Sequence, residues 1–195
     1  MDKKQMLKIA LGISFGGGLV IFIMGLLYDL LPFNKYASAF WMVFLVLVVY
    51  FALGADLKNI PKMIVTYACG LIWGAISNFT AFLFIQSNHI LFAFLNYFLI
   101  AGLMVLIHQF LAGKTVFGCA PAAFLGLAES IFASTCGVPD GMGGVLPPMT
   151  WGPIDLFIIY MIGIVMVTLL ALASGFIVKL IVGKNGAPQD GENKE

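Results

Sequence analysis

The stretch LGLAESIFASTCGVPDG (Leu125–Gly141) holds one carboxylate, Glu129, inside an apolar run that is then broken by a cysteine, a proline and glycines. A segment apolar on every side belongs in a bilayer or a deep core, and its single acid needs a reason to be there. Working outward, the whole chain has the same character. Its 195 residues are 62% hydrophobic and 10% charged, with a mean hydropathy of +1.05. A soluble domain carries roughly 25% charged residues, so these side chains cannot solvate a globule of this size.

A spanning helix needs about 20 mostly apolar residues. Six runs qualify: Ile9–Leu31, Ala37–Ala55, Ile60–Ile85, Ile90–Leu111, Val116–Thr135 and Ile154–Val182. Barrel strands would alternate apolar and polar residues, and these runs do not. The expected fold is all-α: one six-helix transmembrane domain over residues 1–183, then a polar, disordered tail over 184–195. The first run is too long for a signal peptide and has no small-residue cleavage pattern, so it counts as a span.

All ten basic residues are lysines. Six spans put nine of them on one side and only Lys35 on the other, which predicts cytoplasmic termini. The net charge of +1 offers nothing to nucleic acid. Cys69, Cys119 and Cys136 are scattered and read as small apolar filler, with neither metal nor disulfide spacing.

The ends of spans two and five resemble each other. VVYFALGAD (Val48–Asp56) aligns with ESIFASTCG (Glu129–Gly137) through a shared Phe-Ala, and YACGLIWG (Tyr67–Gly74) aligns with YMIGIVMV (Tyr160–Val167) through Tyr-x-x-Gly. Two matches in the same order suggest halves of three spans, residues 1–86 and 87–183. Three is odd, so the second half enters the membrane inverted. Such repeats commonly build transporters with the substrate path at their interface.

The small-residue segments YFALGADLKN and APAAFLGLAESIFASTCG resemble those of domain of unknown function 1097, a bacterial inner-membrane family, over most of residues 8–183. The resemblance implies a multi-helix protein of the bacterial inner membrane. It brings no substrate and no catalytic residues. The outer loop Gly137–Pro153 is longer than in the shorter members.

Ionisable groups deep in a bilayer are costly and usually face the protein interior or water. Glu129 lies roughly 9 Å below the outer boundary at 1.5 Å per residue, and Asn96 and Asn78 fall in the same slab. Together they are candidates for a polar ring lining a substrate path; interhelical hydrogen bonding is the plainer role for the two amides. His108, about 5 Å from the cytoplasmic end of span four, is a candidate gate or an interfacial side chain within reach of water. Asp155 suits the N-terminus of span six as a cap. Gly12/Gly16 and Gly70/Gly74 have the spacing of close helix contacts. Trp41 and Trp151 read as interface anchors. The Gly/Pro-rich segment Cys136–Pro153 is too apolar for a solvated loop and is expected to fold back over the outer mouth.

These features favour a membrane channel or transporter for a small polar, weakly acidic or neutral solute, with its path near Glu129. The alternative is a non-transporting membrane subunit or anchor for a partner protein. No catalytic triad, metal set or phosphate loop is present in the sequence, so neither an enzyme, a cofactor nor a bound metal is expected. The expected partners are the lipid bilayer and a small-molecule solute, with homo-oligomerisation left open.

Overall fold

The computed structural model describes residues 3–30, 36, 40–135, 138–139, 145–146 and 151–182. Six α-helices account for most of them: α1 (Lys3–Leu30), α2 (Phe40–Ala52), α3 (Ile60–Gln86), α4 (Ile90–Val105), α5 (Ala120–Thr135) and α6 (Pro153–Val182). A 3-10 turn (Leu57–Asn59) leads into α3, and a π-helical segment (Leu106–Leu111) continues α4. A two-stranded antiparallel pair, β1 (Val138–Pro139) and β2 (Val145–Leu146), matches Val138 with Leu146. Among the described residues, four stretches are long and apolar enough to cross a membrane: Ile9–Leu26, Leu57–Gln86, Ile90–Leu111 and Pro153–Leu180. The chain is a predominantly α-helical membrane protein.

Among the described residues the other two helices are short. α2 has 13 residues and α5 has 16, about 20 and 24 Å at 1.5 Å per residue, against a hydrocarbon core of about 30 Å. Sequence reading carries span two to Ala55, but α2 ends at Ala52. Gly54 and Ala55 take left-handed φ values of 82° and 58°, a conformation natural for glycine and costly for alanine. The Tyr50 hydroxyl holds that turn by donating to the Ala55 carbonyl at 2.6 Å. Asp56 then accepts from the Lys58 N–H at 2.9 Å, capping the 3-10 turn.

Packing centres on α3. Its principal neighbour is α5, and the pair runs parallel: Lys62 reaches Gly113, Thr66 reaches Val116, Gly70 lies on Ala123 and Gly74 on Ser130. The backbones approach so closely that a Cβ on Gly70 would strike the Ala123 carbonyl oxygen. Gly70 and Gly74 thus fill the close-approach role their spacing predicts. In the first helix, Gly16 lies against Ile177 of α6. α1 lies along α6, α4 flanks α3, and α2 packs on α6. Leu11, Phe15, Leu19 and Phe22 of α1 remain exposed, as side chains facing lipid tails would be. The core joins α2, α3, α5 and α6 around Val43, Val46, Tyr67, Leu156, Tyr160 and Met166.

Candidate functional site

Glu129 is 6% exposed, on the face of α5 turned toward α3 and α6. The hydroxyl of Tyr67, itself wholly buried on α3, donates to Glu129 Oε2. The same hydroxyl lies 3.3 Å from the Leu156 carbonyl oxygen of α6, so one phenol ties three helices together. Tyr160 of α6 stacks on Tyr67 with centroids 3.7 Å apart and planes 6° from parallel. The Tyr160 hydroxyl is buried and has no hydrogen-bond partner among the described residues.

The expected polar slab therefore has a different membership. Asn78 donates to the Ser130 carbonyl at 3.2 Å, next to Glu129 in the chain but not to its carboxyl. Asn96 donates to the Ser77 carbonyl at 3.0 Å and accepts from Thr80 at 2.8 Å. Those two amides join α3 to α5 and to α4. The reason is directional: the Glu129 carboxyl is turned to Tyr67, whose hydroxyl also lies by Leu156 of α6, while the two amides are turned to the Ser130 and Ser77 carbonyls. Depth counted along Cα positions carries no information about which way a side chain faces. The Tyr-x-x-Gly repeat already marked Tyr67 and Tyr160, and was the one signal that could have found them.

A cavity of about 520 Å³ opens beside this cluster, walled by Phe79, Phe82, Trp151 and Leu156, with Asn78 and Ser130 as polar contributors. Asn78 Oδ1 is buried without a partner among the described residues. Trp151, expected at the lipid interface, is buried here and meets Tyr36 edge-on at 6.4 Å; Trp41 is exposed, as an anchor would be. The Tyr36 hydroxyl donates to Asp155 Oδ1 at 2.6 Å, and Asp155 Oδ2 accepts from the Gly152 N–H at 3.2 Å. Asp155 thus caps α6 in the manner of a capping box, its side chain reaching back to the residue before the helix. Most of the outer loop predicted to cover the mouth, with Cys136, lies outside the described residues, as do the tail 184–195 and Lys35.

His108 is buried rather than water-facing, at 4% exposure. Its Nδ1 lies 2.6 Å from the Phe117 carbonyl oxygen, and its Nε2 lies 3.1 Å from the Trp73 indole nitrogen. A carbonyl only accepts and an indole N–H only donates, so Nδ1 faces an acceptor and Nε2 a donor. The segment after the π-helical turn folds back over the ring and is held there by Lys62 to Gly113 (3.0 Å) and Thr66 to Val116 (3.1 Å). That cover is what a count of residues from the helix end does not reveal.

No curated protein matches this chain, and no solved structure does. The family model described as "Protein of unknown function (DUF1097)" matches residues 10–184. The chain belongs to that family, whose model runs from the first turns of α1 to the end of α6 and takes in the whole Tyr67–Glu129–Tyr160 cluster.

Proposed function

We propose that this protein provides a path for a small polar, weakly acidic or neutral solute across the bacterial inner membrane, between two inverted three-helix halves and close to Glu129. The observation that carries the proposal is that the short helices occupy the same place in each half. α2 is second in the first half and α5 second in the second half. Short hydrophobic segments at corresponding positions of two repeats point to the substrate site, and α5 bears Glu129.

Exchanging the halves pairs α1 with α4, α2 with α5 and α3 with α6. The packing respects that exchange: α3 on α5 has its counterpart in α6 on α2, and α1 on α6 in α4 on α3. The repeat-matched Gly70 and Gly163 sit against Ala123 of α5 and Val43 and Val46 of α2 respectively. The matched Tyr67 and Tyr160 stack on each other, as residues beside a two-fold axis would. The cavity bounded by Asn78, Ser130 and Trp151 is the entrance in this reading. Asn78 and Asn96 hold its walls together, and His108 pins the turn between α4 and α5 at the other end.

The test is uptake by liposomes containing the purified protein, across neutral solutes, weak acids and monovalent cations. A saturable flux that Glu129→Gln alters supports the path. Empty-liposome rates for every solute would remove it.

A further inference from the structure

One carboxyl is hydrogen-bonded to one of two repeat-matched phenols whose rings stack on each other. We propose that Tyr160 is the alternative hydrogen-bond partner of Glu129, and that the carboxyl passes from the Tyr67 hydroxyl to the Tyr160 hydroxyl when the protein changes state. The proposal rests on the two-half reading above, which makes the two tyrosines equivalent.

Four observations support it. Tyr67 and Tyr160 are matched by the Tyr-x-x-Gly repeat and are each the eighth residue of their helix. Their rings stack at 3.7 Å, 6° from parallel, and both are buried. The Tyr67 hydroxyl already has a second acceptor, the Leu156 carbonyl at 3.3 Å, so releasing Glu129 leaves it hydrogen-bonded. The Tyr160 hydroxyl is buried without a partner among the described residues, and a buried unmade hydrogen bond is costly to keep. A group left unpaired in one state and paired in another biases the two states against each other without adding any new contact surface.

The halves are not identical, and the difference explains why a single acid suffices. Against Glu129 of α5 the repeat alignment sets Val48 of α2, which is apolar and exposed. Tyr160 therefore has no acid of its own on α2. Its repeat-matched counterpart already engages Glu129, which leaves that carboxyl as the shared acceptor.

The chain has three glutamates, Glu129, Glu192 and Glu195, so labelling glutamate with carbon-13 at the side-chain carboxyl gives a spectrum simple enough to follow. In nanodiscs, the Glu129 resonance is assigned by its loss in Glu129→Gln. Tyr67→Phe and Tyr160→Phe keep both rings and remove one hydroxyl each. Wild type exchanging between the two partners shows the average of two environments, so the variants are expected to move the Glu129 resonance in opposite directions, each toward the value set by its one remaining donor. An unmoved resonance in Tyr160→Phe overturns the proposal, and that variant decides alone where Tyr67→Phe does not fold. In liposomes, Tyr160→Phe is expected to cut flux by about two- to tenfold, the population shift worth one hydrogen bond, with thermal stability unchanged or higher. Absence of wild-type flux would sink the path reading while leaving the resonance shifts to decide the partner exchange.

Discussion

The indole N–H of Trp73 on α3 donates to Nε2 of His108 at 3.1 Å, and Nδ1 of that ring faces the Phe117 carbonyl at 2.6 Å. One imidazole thereby bridges α3, the π-helical end of α4 and the turn that leads into α5. Both nitrogens are committed, one facing a donor and one an acceptor. The ring works as a brace. His108→Phe keeps the bulk and strands the Trp73 N–H and the Phe117 carbonyl, so it is expected to lower stability by about 1–3 kcal/mol. Thermal unfolding in detergent measures this. Any flux should persist in a variant that still folds, and its loss there would restore the gate.

Glycine substitutions should divide by what a Cβ would meet. On Gly70 it meets the Ala123 backbone, which cannot swing aside, while on Gly163 it meets the Val46 side chain. On Gly102 it meets open space. Gly70→Ala is expected to cost about 1–3 kcal/mol through forced separation of α3 and α5, Gly163→Ala less, and Gly102→Ala to gain about 0.5–1 kcal/mol in helix propensity. Melting temperatures in one detergent give the order directly, and an inverted order would contradict the close α3–α5 contact.

Substitutions of Glu129 should separate shape from charge. Glu129→Gln retains an oxygen that accepts from Tyr67 and should unfold within about 1 kcal/mol of wild type, the net worth of one hydrogen bond. Glu129→Leu removes the acceptor, and although Leu156 offers Tyr67 a second one, stability should fall by about 1–3 kcal/mol. Both variants should alter flux. Wild-type flux in Glu129→Leu would place the solute elsewhere.

The lysine asymmetry predicts sidedness. A phosphatase reporter that is active only outside the inner membrane should be silent when fused after Glu195 and active when inserted after Asn88, between α3 and α4. The reverse pattern would invert the whole arrangement.

Much of this architecture is legible in the residues because lipid leaves so few options. Runs without charge must become helices, and Gly70 and Gly74 at four-residue spacing announce a close neighbour. Helix ends were harder to read. Ala37–Ala55 is apolar enough to be one span, yet Gly54 and Ala55 turn left-handed and stop α2 at Ala52; hydropathy carries no information about backbone handedness. The partner of Glu129 was hidden for another reason. Tyrosine is grouped with the hydrophobic residues in the composition, and only its packed orientation exposes the hydroxyl as a donor. His108 misled in the opposite sense, since its position near a helix end concealed the turn that folds over it.

The unequal helix lengths change what the surrounding bilayer can do to this protein. α1 and α6 have 28 and 30 residues, about 42 and 45 Å at 1.5 Å per residue, and α1 is exposed along its apolar stretch. Helices of that length answer a thicker or thinner membrane by tilting, at a modest cost per ångström of mismatch. α2 and α5 have most of their inward faces packed in the core and are too short to follow. A thicker or thinner bilayer is therefore taken up first by the lean of α1 and α6, while the packed inner faces of α2 and α5 hold the surroundings of Glu129 in place.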